Sequence, residues 1–201
     1  MAVGGYARPL KSGCDSLGRI NNVFYTSCFP WQSSDGTITT GSSTVNNDTP
    51  RLKYLLESSS TIGKIIFDEE GYYINDSIIL YSYRTVIGSG RAPINSPTVY
   101  GYASSRIVQT ASDKAIFVIG AATFSSAVRD LALVGGIGTT GTVGILAQNG
   151  TTAATSTLSS DFEFTNLTFG SLSKGIYVNA QSYGGTCNTN GVSCRRILAV
   201  R

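Results

Sequence analysis

The chain has 201 residues, a net charge of +3 from 15 basic and 12 acidic residues, and no histidine. A chain of this length can form one domain with a sizeable core, and the lack of histidine excludes a histidine-based triad or a histidine-ligated metal within it. The basic residues are scattered and no apolar run approaches the roughly 18 residues of a membrane helix, so neither nucleic-acid binding nor membrane insertion is predicted.

The first 34 residues differ in composition from the rest of the chain. They contain the only tryptophan and two of the four cysteines, and no period of 2 or 3.6 runs through them. We predict an irregular N-terminal arm over residues 1–34, which packs on the rest of this chain or against a neighbouring subunit or a virion. The candidate attachment residues are aromatic: Phe24, Tyr25, Phe29 and Trp31.

A short helix is predicted after Asp48. Asp48 or Thr49 suits the N-cap, and Pro50 suits the first turn, where its missing N–H costs nothing. The serines at 58–60 end the pattern. The apolar positions between them fall on one face, which we expect to be buried: Leu52, Leu55 and Leu56.

Four short runs of β-branched or aromatic residues follow, separated by turn residues. Such runs predict strands, here at 65–67, 72–74, 78–80 and 85–87. Beyond them, a loop containing Pro93 and Pro97 leads to a segment with Tyr100 and Tyr102.

The order of these elements resembles the start of the right-handed parallel β-helix of the pectate-lyase superfamily, in the form found in phage tailspikes. The resemblance rests on Asp48-Thr49, a strand at 64–67, Gly71-Tyr72-Tyr73, a strand at 77–80 and Ile87-Gly88-Ser89-Gly90. It covers roughly residues 35–201. It implies an all-β fold, a right-handed parallel β-helix (solenoid) with a short N-terminal capping helix and the irregular arm. The fold hosts lyases, hydrolases and inert spikes alike, so it does not by itself define a function.

From Ala115 the chain repeats. Leu131, Leu167 and Ile197 hold equivalent places in three similar segments, 36 and 30 residues apart, a length that fits one coil of a solenoid. Phe162 and Phe164 share one strand face, whereas the apolar phase slips by one before Leu167 and Phe169. This shift of the apolar face predicts a bend at Thr165-Asn166, because Asn tolerates the left-handed backbone conformation that a bend needs. Asp130 and Arg196 are the residues equivalent to Asn166 in the other two segments. The third copy ends at Arg201 inside a coil, so we expect the protein to continue or a partner to cover this end.

Catalytic chemistry has few candidates. Asp161 and Glu163 alternate with Phe162 and Phe164, so both are expected to point outward, about 6.5–7 Å apart, close to the separation of inverting glycosidases. We favour ordinary solvated surface charge over catalysis for this pair, and more strongly for the turn cluster Asp68-Glu69-Glu70. Asp76 and Asp113 are isolated turn acids. No cofactor or metal site is predicted. The paired tyrosines favour a subunit contact or a core edge over a sugar platform: Tyr72-Tyr73, Tyr81 and Tyr83, Tyr100 and Tyr102.

The resemblance implies a phage tailspike or tail-fibre protein located in the virion. Such proteins are homotrimers that recognise host surface polysaccharide, and here the arm would contact other phage tail or baseplate proteins. Whether the full-length protein is a depolymerase stays open; residues 1–201 alone are expected to be inactive. No secretory signal peptide is visible in the first residues, which agrees with assembly in the host cytoplasm. Each cysteine pair could close a loop, but cytoplasmic assembly favours free thiols at Cys14, Cys28, Cys187 and Cys194.

Two alternatives remain. One is a secreted, extracellular bacterial polysaccharide lyase or glycoside hydrolase. The other is an inert structural β-solenoid adhesin.

Overall fold

Most of the described strands belong to three sheets, and strands that follow one another in sequence mostly lie in different sheets. The structure, a computed structural model, describes residues 12–29, 36–41, 43–58, 63–69, 71–90, 105–119, 124–148, 160–179, 192–195 and 198–200. For residues 124, 148, 160, 161, 178, 179, 192–195 and 198–200 it describes the backbone alone.

The elements are, in chain order, β1 (Arg19–Ile20), β2 (Val23–Tyr25), a 3-10 turn (Thr26–Cys28), β3 (Thr37–Thr40), β4 (Ser43–Asn46), α1 (Thr49–Glu57), β5 (Gly63–Ile66), β6 (Gly71–Ile74), β7 (Ile78–Leu80), β8 (Arg84–Ile87), β9 (Arg106–Gln109), β10 (Ala115–Ile119), β11 (Phe124–Arg129), β12 (Ala132–Gly135), β13 (Val143–Gln148), β14 (Ser160–Thr165), β15 (Thr168–Gly170), β16 (Lys174–Asn179), β17 (Val192–Arg195) and β18 (Leu198–Val200).

The largest sheet has seven strands in the order β1-β2-β5-β8-β11-β14-β17. A five-stranded sheet has the order β18-β15-β12-β9-β6, and a four-stranded sheet has the order β16-β13-β10-β7. All pairs in these sheets are parallel except β1 with β2. The antiparallel pair β3–β4 forms a separate ribbon.

The register places apolar side chains of neighbouring strands beside one another. In the seven-stranded sheet Ile65 pairs with Val86, Val86 with Val128, and Val128 with Phe164, and all four side chains are buried. The five-stranded sheet contributes a second buried row: Tyr72, Ile107, Leu133 and Phe169. The four-stranded sheet contributes Ile78, Phe117 and Ile145. Because these rows belong to one apolar cluster, the three sheets share a single main core.

Helix α1 closes one end of this core. Leu52, Leu55 and Leu56 are fully buried in the same cluster, as the spacing of the leucines predicts. Asp48 is the N-cap residue, but its side chain makes no capping hydrogen bond to the helix. It binds Arg51 and the backbone of β6 instead.

The predicted fold class is wrong. The chain is mixed α/β, with mostly parallel sheets and one α-helix among the described residues, and is not clearly the all-β right-handed β-helix that the resemblance implies. The physical reason is that α1 supplies fully buried leucines to the core, so the helix is a structural layer of its own. Antiparallel pairing in β1–β2 and β3–β4 also breaks the uniform parallel pattern.

The arm is more regular than its composition predicts. Strand β2 pairs in parallel with β5, which places Phe24 opposite Ile65 and extends the largest sheet into the arm. Cys14 and Cys28 form a disulfide, with their Cα atoms 6.0 Å apart, so the expectation of free thiols is wrong for this pair. Their sulfur atoms meet because the β1–β2 turn folds the arm back on itself, which sequence spacing does not reveal. Cys187 and the side chain of Cys194 lie outside the described residues.

The predicted bend is confirmed. Asn166, which follows β14, has φ +54°, and Asp130, which follows the neighbouring strand β11, has φ +55°. The Asn166 amide Nδ2 donates to Asp130 Oδ1 at 2.5 Å, so the two bends are also joined to each other. Leu131 and Leu167, the residues that follow, are both fully buried. Arg196 and Ile197 lie outside the described residues.

We expect Leu55→Ala to lower the free energy of unfolding by about 2–5 kcal/mol, because it leaves a cavity beneath α1. The control is Ile137→Ala, since Ile137 is 83% exposed and should change stability by less than about 0.5 kcal/mol. Urea unfolding followed by circular dichroism measures both. Equal, small losses would show that the helix is peripheral to the core.

Candidate functional site

A buried arginine joins the arm to the helix. The Arg51 side chain is almost fully buried, and its Nε donates to Asp48 Oδ1 at 2.8 Å while Nη2 donates to Glu69 Oε2 at 2.6 Å. Nη1 donates to the backbone carbonyl of Phe29 in the arm at 2.8 Å. Burial alone would lower the pKa of Arg51, but the charges of Asp48 and Glu69 outweigh it and raise that pKa above its ordinary value. The guanidinium therefore remains charged and binds three separate parts of the chain.

A second set of contacts fastens the arm to the turn after β5. Asp68 Oδ2 accepts a hydrogen bond from the Ser27 hydroxyl at 2.6 Å, and Oδ1 accepts from the Ser27 amide and the Thr26 hydroxyl. Thr26 Oγ1 also lies 2.6 Å from the hydroxyl of Tyr72. Burial, together with the charge of Glu69, raises the pKa of Tyr72, so its hydroxyl stays protonated. We call these residues, with Arg51, Asp48 and Glu69, the arm junction.

The arm junction uses acids that the sequence predicts to be solvated turn charges. Asp68 and Glu69 both face the arm, and each binds it or binds Arg51. Glu70 lies outside the described residues. The two carboxylates therefore act structurally, as acceptors that hold the arm in place.

The candidate attachment residues have different surroundings. Phe24 is buried in the main core, so it belongs to the fold rather than to an exposed surface. Tyr25 is half-buried. Phe29 packs against the core and its ring lies 5.9 Å from that of Tyr54 on α1. Trp31 lies outside the described residues.

Glu163, one of the two catalytic candidates, lies on the outer face of the seven-stranded sheet. Its neighbours Phe162 and Phe164 are buried, as the alternation predicts, and Glu163 pairs with Ala127 in the register. Its carboxylate forms an ion pair with the Arg129 guanidinium and accepts a hydrogen bond from the Thr165 hydroxyl at 2.8 Å. The side chain of Asp161 lies outside the described residues, so the separation of the two carboxylates stays a prediction.

This environment affects what Glu163 can do chemically. Arg129 contacts one carboxylate oxygen of Glu163 and Thr165 contacts the other, so both oxygens have a partner within the sheet. The same arrangement suits a surface that binds polar ligands, because both partners of the pair are partly exposed, at 40% for Arg129 and 38% for Glu163.

Asp76 is the centre of a third charged group, at the turn between β6 and β7. Lys53 on α1 lies 2.6 Å from one carboxylate oxygen and Lys114, before β10, lies 2.9 Å from the other. Hydrogen bonds from these two lysines lower the pKa of Asp76 well below its ordinary value. Asp113, the other isolated turn acid, has φ +57° and serves the turn before β10.

In the described part of the chain, no group of three or more His, Cys, Asp or Glu residues could hold a metal ion. None of the described helices is long and apolar enough to cross a membrane. Comparison with protein-family models, with curated proteins and with solved structures gives no match. The functional argument therefore depends on the residues of this chain alone.

Sequence reasoning missed the arm junction. The Asp48–Arg51 pair has the i, i+3 spacing of neighbours on a helix, and this was the one local signal that could have indicated it. The contacts of Arg51 with Glu69 and Phe29 join residues 18 and 22 positions apart, and no pattern in the sequence indicates them.

We expect Arg51→Met to destabilise the protein by about 3–5 kcal/mol, because it leaves the buried carboxylate of Asp48 without its cation. Arg129→Met is the matched control: the same substitution removes an exposed ion pair, which is worth at most about 1 kcal/mol. Urea unfolding of both variants measures the difference. Similar losses in the two variants would contradict a special role for the arm junction.

The Asp76 ion pairs predict a pH dependence with a definite sign. The folded-state pKa of Asp76 lies below its unfolded value, so the ion pairs stabilise the protein above the unfolded pKa of about 3.9. That stability is lost as the pH falls through the folded-state pKa. Because the group is partly exposed, the contribution should stay below about 1 kcal/mol and decrease with salt. Melting temperatures of wild type and Asp76→Asn at pH 7 and pH 3 measure it, and we expect the difference between the proteins to shrink in acid.

Proposed function

We propose that this chain is part of a phage tailspike or tail-fibre protein. In this proposal it assembles as a homotrimer in the virion, contacts other tail or baseplate proteins through the arm, and recognises host surface polysaccharide. The sequence resemblance suggested this role. The observation that carries it further is the arm junction.

The arm junction supports the proposal for a mechanical reason. A tail protein must transmit force from the virion to the surface of the host. Strand pairing of β2 with β5, the hydrogen bond from Arg51 to the Phe29 carbonyl and the hydrogen bonds of Asp68 with Thr26 and Ser27 connect the arm to the rest of the chain at several independent points. The Cys14–Cys28 disulfide closes a loop within the arm. An arm that is integrated in this way suits a load-bearing attachment better than a flexible tether does.

The outer face of the seven-stranded sheet supports a binding role over a catalytic one. Both carboxylate oxygens of Glu163 already have partners in the fold, Arg129 and Thr165, which favours a structural role for this carboxylate. Outward rows of parallel strands lie side by side, an arrangement that can contact an extended polymer over several strands.

A second candidate function is favoured by the disulfide. Disulfides persist in oxidising compartments, so Cys14–Cys28 also agrees with a secreted bacterial polysaccharide lyase or glycoside hydrolase. The two candidates differ in activity and in assembly, and both properties can be measured on residues 1–201.

We expect purified residues 1–201 to form a trimer of the 21.2 kDa chain and to bind capsular polysaccharide or lipopolysaccharide without cleaving it. Light scattering coupled to size exclusion, cell-surface binding, and assays for reducing ends or unsaturated products test these points. A monomer that binds no bacterial surface glycan would contradict the proposal. Cleavage that is lost in Asp161→Asn or Glu163→Gln, with folding intact, would establish the second candidate.

A further inference from the structure

Two tyrosines protrude at the corner between β7 and β8. Tyr81 is 43% exposed and Tyr83 is 57% exposed, and only Ser82 lies between them. Together with Arg84 and Lys64 we call these residues the tyrosine corner. Exposed aromatic rings offer flat apolar surfaces to a ligand at a low cost in side-chain entropy.

The backbone of Tyr83 has a conformation that its side chain disfavours. Its φ is +62°, in the left-handed region that bulky L residues rarely adopt. The register aligns Val86 with Val128, so Tyr83 is equivalent to Ser125 in β11, and Ser125 also has a positive φ of 51°. The bend therefore requires this conformation in both strands, and Gly63 holds the bend by donating its amide to the Tyr83 carbonyl at 2.9 Å. A glycine would satisfy the bend with less strain, and strain of this kind is found at functional positions.

A positive charge lies against the ring of Tyr81. Arg84 is only 3% exposed, and its guanidinium carbon lies 5.3 Å from the centre of the Tyr81 ring. Nη1 donates to the Ser82 carbonyl at 3.0 Å and Nη2 donates to the Ser58 carbonyl at 2.6 Å, whereas Nε has no hydrogen-bond partner. Burial lowers the pKa of Arg84, and no carboxylate in the described part of the chain forms an ion pair with it.

One further cation and one carboxylate lie close to this corner in the fold. Lys64 is exposed on β5 and pairs in the register with Thr85, the second residue of β8. The nearby carboxylate of Glu57 accepts a hydrogen bond from the Ile79 amide at the edge of β7. Buried Arg84 acts on a ligand through its electric field, and Lys64 is the exposed cation that can pair with an anion directly.

The geometry points to a binding site for an acidic saccharide at the tyrosine corner. One sugar ring stacks on Tyr83 or Tyr81, and its carboxylate faces Lys64. This inference deepens the proposed polysaccharide recognition and rests on it. The two tyrosines precede β8 in a loop, whereas Lys64 lies in the same register row of the seven-stranded sheet as Glu163, three strands away from it.

The test uses the full chain of residues 1–201 and two defined probes. An oligogalacturonate tetramer is the acidic probe, and a neutral maltotetraose is the matched control, with binding measured by titration calorimetry at low and high salt. We expect the acidic probe to bind, the neutral probe to bind at least about tenfold more weakly, and the affinity to fall with salt.

Three variants locate the site. Tyr83→Gly removes the ring and relieves the strained φ, so it should weaken binding by about tenfold while the melting temperature stays the same or rises. A purely structural Tyr83 would leave binding unchanged. Lys64→Gln should weaken binding of the acidic probe and make its affinity less dependent on salt concentration. Tyr54→Ala, which removes another exposed tyrosine on α1, should leave binding unchanged.

The outcomes separate this inference from the proposed function. If neither probe binds, if both bind equally, or if Tyr83→Gly binds like wild type, the tyrosine corner is not an acidic saccharide site. If in addition the chain still binds bacterial surface polysaccharide, the proposed function stands and its binding surface lies elsewhere. If the corner binds the acidic probe but the chain binds no bacterial surface, the site stands and the tail-protein role fails.

Discussion

The helix end of this fold depends on the hydrogen bonds that Asp48 makes with β6 and with Arg51. Parallel sheets leave unpaired backbone groups along their outermost strands, and buried backbone groups need partners. At β6, Asp48 takes the place of a missing strand: its amide donates to the Tyr73 carbonyl and its Oδ2 accepts from the Tyr73 amide, both at 2.8 Å. Its Oδ1 binds Arg51 at the same time. One residue therefore satisfies backbone groups at a sheet edge and binds the cation that holds the arm.

The other two sheets are closed at this end by different means. Strand β2 of the arm pairs with β5, and the Glu57 carboxylate at the end of α1 accepts a hydrogen bond from the Ile79 amide of β7. The seven-stranded sheet thus continues into the arm, whereas the segment before α1 and the end of α1 contact the outermost strands of the other two sheets. Arg51 contacts both the arm and Asp48, so loss of its charge would remove the cation that Asp48 and Glu69 share and loosen the arm together with the helix.

The acidic residues fall into two groups with different physical roles. Asp48, Asp68 and Glu69 lie at buried or half-buried positions and hold the arm, whereas Asp76 and Glu163 form partly exposed ion pairs. Carboxylates in both groups have cationic or hydrogen-bonding partners in the fold. The tyrosine corner differs from both, because there the buried cation has no carboxylate partner among the described residues.

The sequence by itself determined what depends on near neighbours: the buried leucine face of α1, the alternation around Glu163 and the left-handed bend at Asn166. Periodicity and local backbone preference encode these features directly. Only the tertiary structure decided the fold class, the Cys14–Cys28 bond, the surroundings of Arg51 and the strained conformation of Tyr83. The fold class and the surroundings of Arg51 depend on contacts between residues far apart in sequence, which leave no periodic signal along the chain. The disulfide depends on how the β1–β2 turn folds the arm back, and the φ of Tyr83 on a bend that propensity does not predict for a tyrosine.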